Sequence, residues 1–173
     1  MAVPPTIADA TEADLPGLVE IYNEVIANST AVYSSEPVTL EDRRSWWRTR
    51  VAQGYPVLVA RDTAGVCGFA TFGDFRAWPG YRFTVEHTVH VRAEGRSRGT
   101  GTLLVQALLP RAAALGKHVM IAGVDAANEA SIRFHERLGF ERVARFKEVG
   151  HKFGRWLDLV FMQRFLDAPG AAR

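Results

Sequence analysis

The sequence predicts a single α/β (α+β) domain in which helices flank a sheet, and three observations carry that expectation. An early stretch with apolar residues at helical spacing gives way, from Pro56, to runs that read as strands. A strand–turn–helix unit follows, with TVEHTVHV at 84–91, RSRGTG at 96–101 and TLLVQALL at 102–109. A buried-type apolar run, HVMIAGV at 118–124, then leads into another helical pattern. At 173 residues the chain suits one domain spanning 1–173, with a core over about 6–166 and a frayed tail at 167–173. No repeat, low-complexity segment or linker divides it.

In order, Ile7 opens a short strand, and Thr11 is a helix N-cap with Asp14 in place of the capping-box glutamate. Leu15, Leu18, Val19, Tyr22 and Ile26 give the following helix its apolar face. Residues 27–39 are polar, turn-rich and long for a bare connection, and read equally as a binding loop or a surface excursion. Thr39 caps a second helix with Trp46, Trp47 and Val51 on its apolar side. Adjacent tryptophans do not share one helical face, so one of them is expected to serve an interface or loop contact. PVLVAR, the turn DTAG and VCGFATFGD form a hairpin, and residues 75–83, FRAWPGYRF, make an aromatic, arginine-bearing connection. Pro110 falls inside the helix expected from Thr102 and should kink or shorten it. The helix after the 118–124 run ends at Gly139, and strands around 142–147 and 156–165 close the fold.

Composition excludes several function classes. A net charge of +2 without a Lys/Arg run argues against nucleic acid. One cysteine, Cys67, rules out an internal disulfide and fits a reducing cytoplasm, while its apolar neighbours argue against a nucleophile. No basic leader or membrane-length apolar run is visible, so a soluble, cytoplasmic protein with no membrane partner is expected. The five histidines are not spaced with carboxylates or thiols as metal ligands, so no metal is expected.

The turn at 96–101 carries the first functional signal. Free N–H groups at a helix N-terminus bind anions, two glycines allow close backbone approach, and Arg96 and Arg98 suit phosphate oxygens. No glycine–lysine–hydroxyl sequence makes it a Walker loop, and Gly101 is followed by no third glycine of a dinucleotide fingerprint. Arg96, Gly99 and Gly101 instead match [QR]-x-x-G-x-[GA], and the turn resembles the acyl-CoA loop of the GCN5-related N-acetyltransferases (GNAT). Asn128 and Ser131 resemble the N-x-x-S before that family's second CoA-contacting helix, and His135, where many members carry Tyr, leads to Gly139-Phe140. QGYPVLVA, TVEHTVHV and KFGRWLDLVFMQ together resemble the phosphinothricin and methionine sulfoximine N-acetyltransferases and their L-amino acid N-acyltransferase relatives, over about 7–166.

That resemblance implies a mixed sheet whose central strands, 84–91 and 118–124, splay to admit the thioester of acetyl-CoA. It implies that Val89, His90 and Val91 offer backbone hydrogen bonds to the pantetheine arm, with the amide near Val91 polarising the acyl carbonyl. Arg96, Ser97, Arg98, Gly99, Thr100, Gly101 and Thr102 would hold the pyrophosphate, with Asn128 and Ser131 on the opposite wall. Glu86 is the candidate base, since an acid on a half-buried strand has its pKa raised by desolvation; the alternative is an ion pair with an arginine of the 76–82 stretch. Alternation sets Thr84, Glu86, Thr88 and His90 on one face and Val85, His87, Val89 and Val91 on the other. His135 could protonate the departing thiolate or simply pack, and His87 is as readily a packed residue.

For the substrate, Phe75, Arg76, Ala77, Trp78, Glu86, His87 and Thr88 are the implied contacts. Arg76 would hold a carboxylate, and Phe75, Trp78, Tyr81 and Phe83 would wall the site. Relatives often carry proline where this chain has Ala77, and some carry histidine at the position of Phe153. Residues 152–156 would form a far wall or dimer contact, and family habit implies a homodimer. The expected reaction is acetyl transfer to the α-amine of a small amino acid or analogue, such as methionine sulfoximine, methionine sulfone or phosphinothricin. A peptide N-terminus or other small amine, and a non-catalytic CoA sensor, are the competing readings.

Overall fold

The computed structural model describes residues 4–96 and 98–166; Ser97 and the tail expected at 167–173 lie outside the described residues. Seven strands, β1 (Thr6–Asp9), β2 (Val57–Asp62), β3 (Gly65–Asp74), β4 (Thr84–Val91), β5 (Val119–Asp125), β6 (Glu141–Lys152) and β7 (Arg155–Phe165), form one sheet in the order β1-β2-β3-β4-β5-β7-β6. Every neighbouring pair is antiparallel except β4 and β5. That pair is parallel because a helical crossover joins it. It is also short: only Thr84↔Val119, Val85↔Met120 and Glu86↔Ile121 are in register, and from His87 onward the two strands part. The mixed, splayed sheet is as expected.

Helices cover both faces: α1 (Leu15–Asn28) and α2 (Leu40–Ala52) on one, α3 (Thr100–Ala114) and α4 (Glu129–Arg137) on the other. β2 shows why the chain folds this way. Its Val57 and Val59 join Leu15, Leu18 and Ile21 of α1, whereas Leu58 and Ala60 join Leu104, Leu108 and Ala112 of α3. A strand buried on both faces is continuously apolar, as Val57 to Ala60 are; Arg61, where that burial ends, pairs with Asp14 at 2.6 Å. Both capping boxes form: Thr11 N–H donates to Asp14 at 2.7 Å and Thr39 N–H to Asp42 at 2.8 Å. The first turn after Thr11 is a 3₁₀ segment, Glu12–Asp14.

Several expectations need correction. In α1 the fully buried residues include Ile21 and Val25, while Val19 and Tyr22 are half-buried. In α2 the buried residue is Arg43, whose guanidinium lies over the rings of Tyr22 (4.1 Å) and Trp46 (4.5 Å), and Val51 is exposed. Trp46 and Trp47 both pack on the α1-side core; each is only half-buried, so neither needs the centre of the face. α3 begins at Thr100 rather than Thr102 and continues past Pro110 to Ala114. Pro110 and Gln106, whose carbonyl loses its donor, are both exposed, so water can satisfy that group. Cys67 is buried, its thiol 3.4 Å from the Ala60 carbonyl, and burial pushes its pKa up, which keeps it inert. Among the described residues no helix is long and apolar enough to cross a membrane.

Leu104 ties α3 to the sheet and is fully buried. Leu104→Ala is expected to lower the unfolding free energy by about 2–5 kcal/mol in chemical denaturation. Leu115→Ala, at an exposed position, should change it by less than about 0.5 kcal/mol.

Candidate active site

The parting of β4 from β5 sets which backbone groups are free. His118 N–H donates to the Phe83 carbonyl on the β5 side, whereas Phe75 N–H donates to Thr84 O and Arg92 N–H to Cys67 O on the β3 side. Peptide groups alternate edges along a strand, so odd-numbered residues of β4 face β5 and even-numbered ones face β3. Beyond Glu86 this aims the N–H groups of Val89 and Val91 into the gap. His90 is therefore corrected: its peptide groups serve the β3 ladder. Its ring sits between Tyr22 (5.6 Å) and Phe69 (5.4 Å).

A groove of 550 Å³ runs from the gap to the start of α3, lined by Val89, Val91, Gly95, Arg96, Gly99, Gly101 and Thr102. Its other wall is Asn128, Ala130, Ser131, Phe134 and Arg137. Gly99 at φ 85° turns the chain into α3, a conformation that favours glycine. Leu103 N–H is the first to bond back, to Gly99 O at 3.0 Å, so the N–H groups of Thr100, Gly101 and Thr102 have no intrahelical acceptor. A Cβ on Gly101 would stand 3.4 Å from the Phe134 ring and narrow the groove. Asn128 caps α4, its side-chain oxygen accepting from Ser131 N–H at 3.0 Å.

The two arginines of the turn behave differently from the expectation. Arg96 folds back, donating to Val91 O at 3.2 Å and pairing with Glu24 at 3.3 Å, so it shapes the groove from its edge. Arg98 lines a separate cavity with Pro4, Pro5, Arg61 and Asp62, because the left-handed turn at Gly99 sends it to the opposite side. Arg137, one helical face along from Ala130 and Phe134, is the groove arginine that sequence reading missed.

At the gap the groove meets a second, smaller pocket of 220 Å³; Val89, Asn128 and Ser131 line both. Glu86, His87, Thr88, Gly123, Asp125 and His135 line this pocket, with Tyr22, Ala31 and Val32 closing it from the α1 side. Val89, not Val91, therefore stands at the junction, its N–H aimed into the gap two residues nearer Glu86. The Glu86 carboxylate reaches across the gap to Gly123, where a Cβ would lie 3.0 Å from Oε1. Burial raises its pKa, and the Arg76 charge pulls it partly back. Among the described residues no donor or cation is within bonding range of Glu86. Arg82 is spent on Pro79 O and the Phe83 ring, so the ion-pair reading is not met.

His87 and His135 form a buried pair, Nε2 to Nε2 at 3.1 Å. His135 Nδ1 lies 2.7 Å from Ser131 O, so it carries the proton. His135 Nε2 then accepts from His87 Nε2–H, leaving His87 Nδ1 a buried acceptor without a partner. Burial, then the neighbouring histidines, push His87 down to about 3, and burial also lowers His135. Burial disfavours the charged form that a general acid needs, and His135 is packed with both ring nitrogens hydrogen-bonded, as its packing alternative has it. The 75–83 connection is corrected in part. Phe75 packs on Tyr81 (5.9 Å) and Phe161 (5.8 Å), but Arg76 and Ala77 are exposed and Trp78, at 74% exposure, does not line the pocket. The apolar wall comes instead from the 27–39 loop.

This geometry, an anion-ready helix start, a backbone-lined gap and a carboxylate across it, defines an acyltransferase class. Residues 18–140 match the Acetyltransferase (GNAT) family, and the chain belongs to that family. It is 52% identical over 168 residues to an L-methionine sulfoximine/L-methionine sulfone acetyltransferase of Pseudomonas aeruginosa, covering 96% of this chain and 98% of that one. A phosphinothricin N-acetyltransferase of Streptomyces coelicolor is 37% identical, with 91% and 94% covered. Among solved structures, the acetyltransferase yncA of Salmonella typhimurium with its cofactor acetyl-CoA superposes with a TM-score of 0.93 at 43% identity, covering 98% of each chain.

The His87 pair has a pH signature. A histidine held to about 3 binds its proton more readily unfolded, near pH 6.5, so its contribution is intact above that value. Stability should fall as pH drops from about 6.5 towards 3, by up to about 1.4 kcal/mol per pH unit per such group. Urea melts of His87→Leu should show a shallower acid slope than the parent chain.

Proposed function

We propose that the chain transfers an acetyl group from acetyl-CoA to the α-amine of a small amino acid or analogue, with methionine sulfoximine and methionine sulfone as its test substrates. One observation carries the reading: an unpaired, half-buried carboxylate, Glu86, sits where the groove and the small pocket join at Val89. Acetyl-CoA lies along the groove, its pyrophosphate at the N–H groups of Thr100, Gly101 and Thr102. The amine enters the small pocket and gives a proton to Glu86, directly or through a water. Its nitrogen attacks the acyl carbon, and the oxyanion accepts from Val89 N–H. Collapse breaks the C–S bond. The leaving group is a thiolate, whose conjugate acid has an ordinary pKa of about 8.5, so it can depart without an acid beside it.

The 220 Å³ pocket favours a compact amine over a peptide. Arg76, exposed, 5.2 Å over the Phe75 ring and within electrostatic reach of Glu86, turns from that ring to take the substrate carboxylate. The outer hairpin exposes Val143, Phe146 and Val149 on β6, Phe153 in its turn and Trp156 on β7, which supports a homodimer with these apolar residues covered. A cytoplasmic setting fits the single buried thiol and a reaction that consumes acetyl-CoA.

Thiol release from acetyl-CoA, followed with sulfoximine, sulfone, phosphinothricin and a short peptide, tests the reading; turnover of the peptide alone, or of none with CoA still bound, overturns it. Glu86→Gln should lower kcat by about 10²–10³-fold and leave acetyl-CoA affinity within about twofold. Because burial raises the Glu86 pKa, the acidic limb of kcat/KM should fall at a pH above the usual carboxylate range, and disappear in Glu86→Gln. Arg76→Ala should raise the amine KM about tenfold or more, with acetyl-CoA KM unchanged.

A further inference from the structure

Lys152 carries a charge that the reaction above does not use. It ends β6, is 2% exposed, and its Nζ donates to the carbonyls of Ile26 (2.6 Å), Ser29 (2.7 Å) and Val32 (2.8 Å). Three ammonium protons thus meet three carbonyls, and among the described residues no carboxylate pairs with it. Ile26 and Ser29 belong to the end of α1, where carbonyls lack intrahelical donors and the helix presents its negative pole. Val32 lies beyond, in a segment with neither helix nor strand that nonetheless supplies Ala31 and Val32 to the small pocket.

Two other ties run from the sheet to the same segment. The Thr30 hydroxyl donates to the carboxylate of Asp125, itself a pocket residue. The Tyr33 ring lies against Gly150, leaving no room there for a Cβ, and its hydroxyl donates to Asp158 O at 3.2 Å. Lys152 is the tie that spans the segment, from the last turn of α1 to the residue facing the pocket.

We propose that Lys152 is a positioning residue for the amine: by bridging Ile26, Ser29 and Val32 it fixes the wall made by Ala31 and Val32 against Glu86. The proposal rests on the reading of the small pocket as the amine site. It separates from a purely fold-stabilising role by what it moves. A merely structural lysine would, on removal, disturb acetyl-CoA and amine binding alike. A positioning one disturbs the amine side, because the groove from Val91 to α3 shares no residue with the clamp.

The test uses the full chain with Lys152→Met, read by amide hydrogen exchange over residues 29–36, by steady-state kinetics with methionine sulfone, and by acetyl-CoA binding. Exchange of that segment should accelerate at least about tenfold and the amine KM rise about tenfold, with acetyl-CoA Kd within about twofold. Lys152→Arg keeps the charge, but its planar fork cannot meet three converging carbonyls. It should show the same split at smaller amplitude, and it serves as the test if the methionine variant does not fold. Unchanged exchange in the segment, or equal losses for amine and acetyl-CoA, would overturn the proposal. If the parent chain acetylates no amino acid, the functional reading fails instead, while the exchange comparison still decides whether Lys152 holds the segment.

Discussion

The structure depends on a ladder that stops early. β4 and β5 pair over three positions, Thr84 to Glu86, and then diverge. Backbone N–H groups in a sheet interior need partners, and Val89 and Val91 have theirs directed into the opening. A parallel pair joined through α3 brings the helix N-terminus, with further unpaired N–H groups, to the same end of the gap. A ligand that is both an amide chain and a pyrophosphate satisfies both sets at once, which is the physical reason the fold suits an acyl-CoA.

The same divergence gives Glu86 its chemistry. At the last paired position the strand edge is still fixed by the sheet, yet the side chain already overlooks open space. Gly123, across the gap, leaves room for the carboxylate. With no bonded cation beside it, desolvation outweighs the more distant charge of Arg76 and the carboxyl's pKa is raised. Burial disfavours the charged form of the two neighbouring histidines as well and lowers the pKa of each. Behind these, the wall that closes the small pocket is held by a buried ammonium rather than by regular structure.

Much of this was legible in the sequence, for reasons that differ by element. The alternation of TVEHTVHV fixes which face Glu86 and His87 occupy, and the structure follows it. The glycine turn predicts the helix start because positive φ and free N–H groups are local properties. The buried strands read correctly because PVLVA is apolar on every residue, which only a strand covered on both faces tolerates. What failed was long-range. The destinations of Arg96 and Arg98 depend on Glu24 and on the turn direction, neither visible at their own positions. The His87–His135 contact joins residues 48 apart, so the hydrogen-bonded packing of His135 has no local signal. Arg137 could have been found from the 130, 134, 137 spacing on one helical face. Trp78, a contact the resemblance implies, is 74% exposed, because nothing in a loop's own sequence fixes which way an aromatic side chain turns.

The central claim is that the Val89 amide, at the junction of groove and pocket, holds the acyl oxygen within reach of Glu86. A crystal structure with a non-reactive thioether analogue of acetyl-CoA tests it most directly. The account predicts the acyl oxygen at about 2.7–3.1 Å from Val89 N, with the Glu86 carboxylate facing the acyl carbon across the pocket. An acyl group lying outside the parted strands, or a Val89 amide bonded elsewhere, would contradict it.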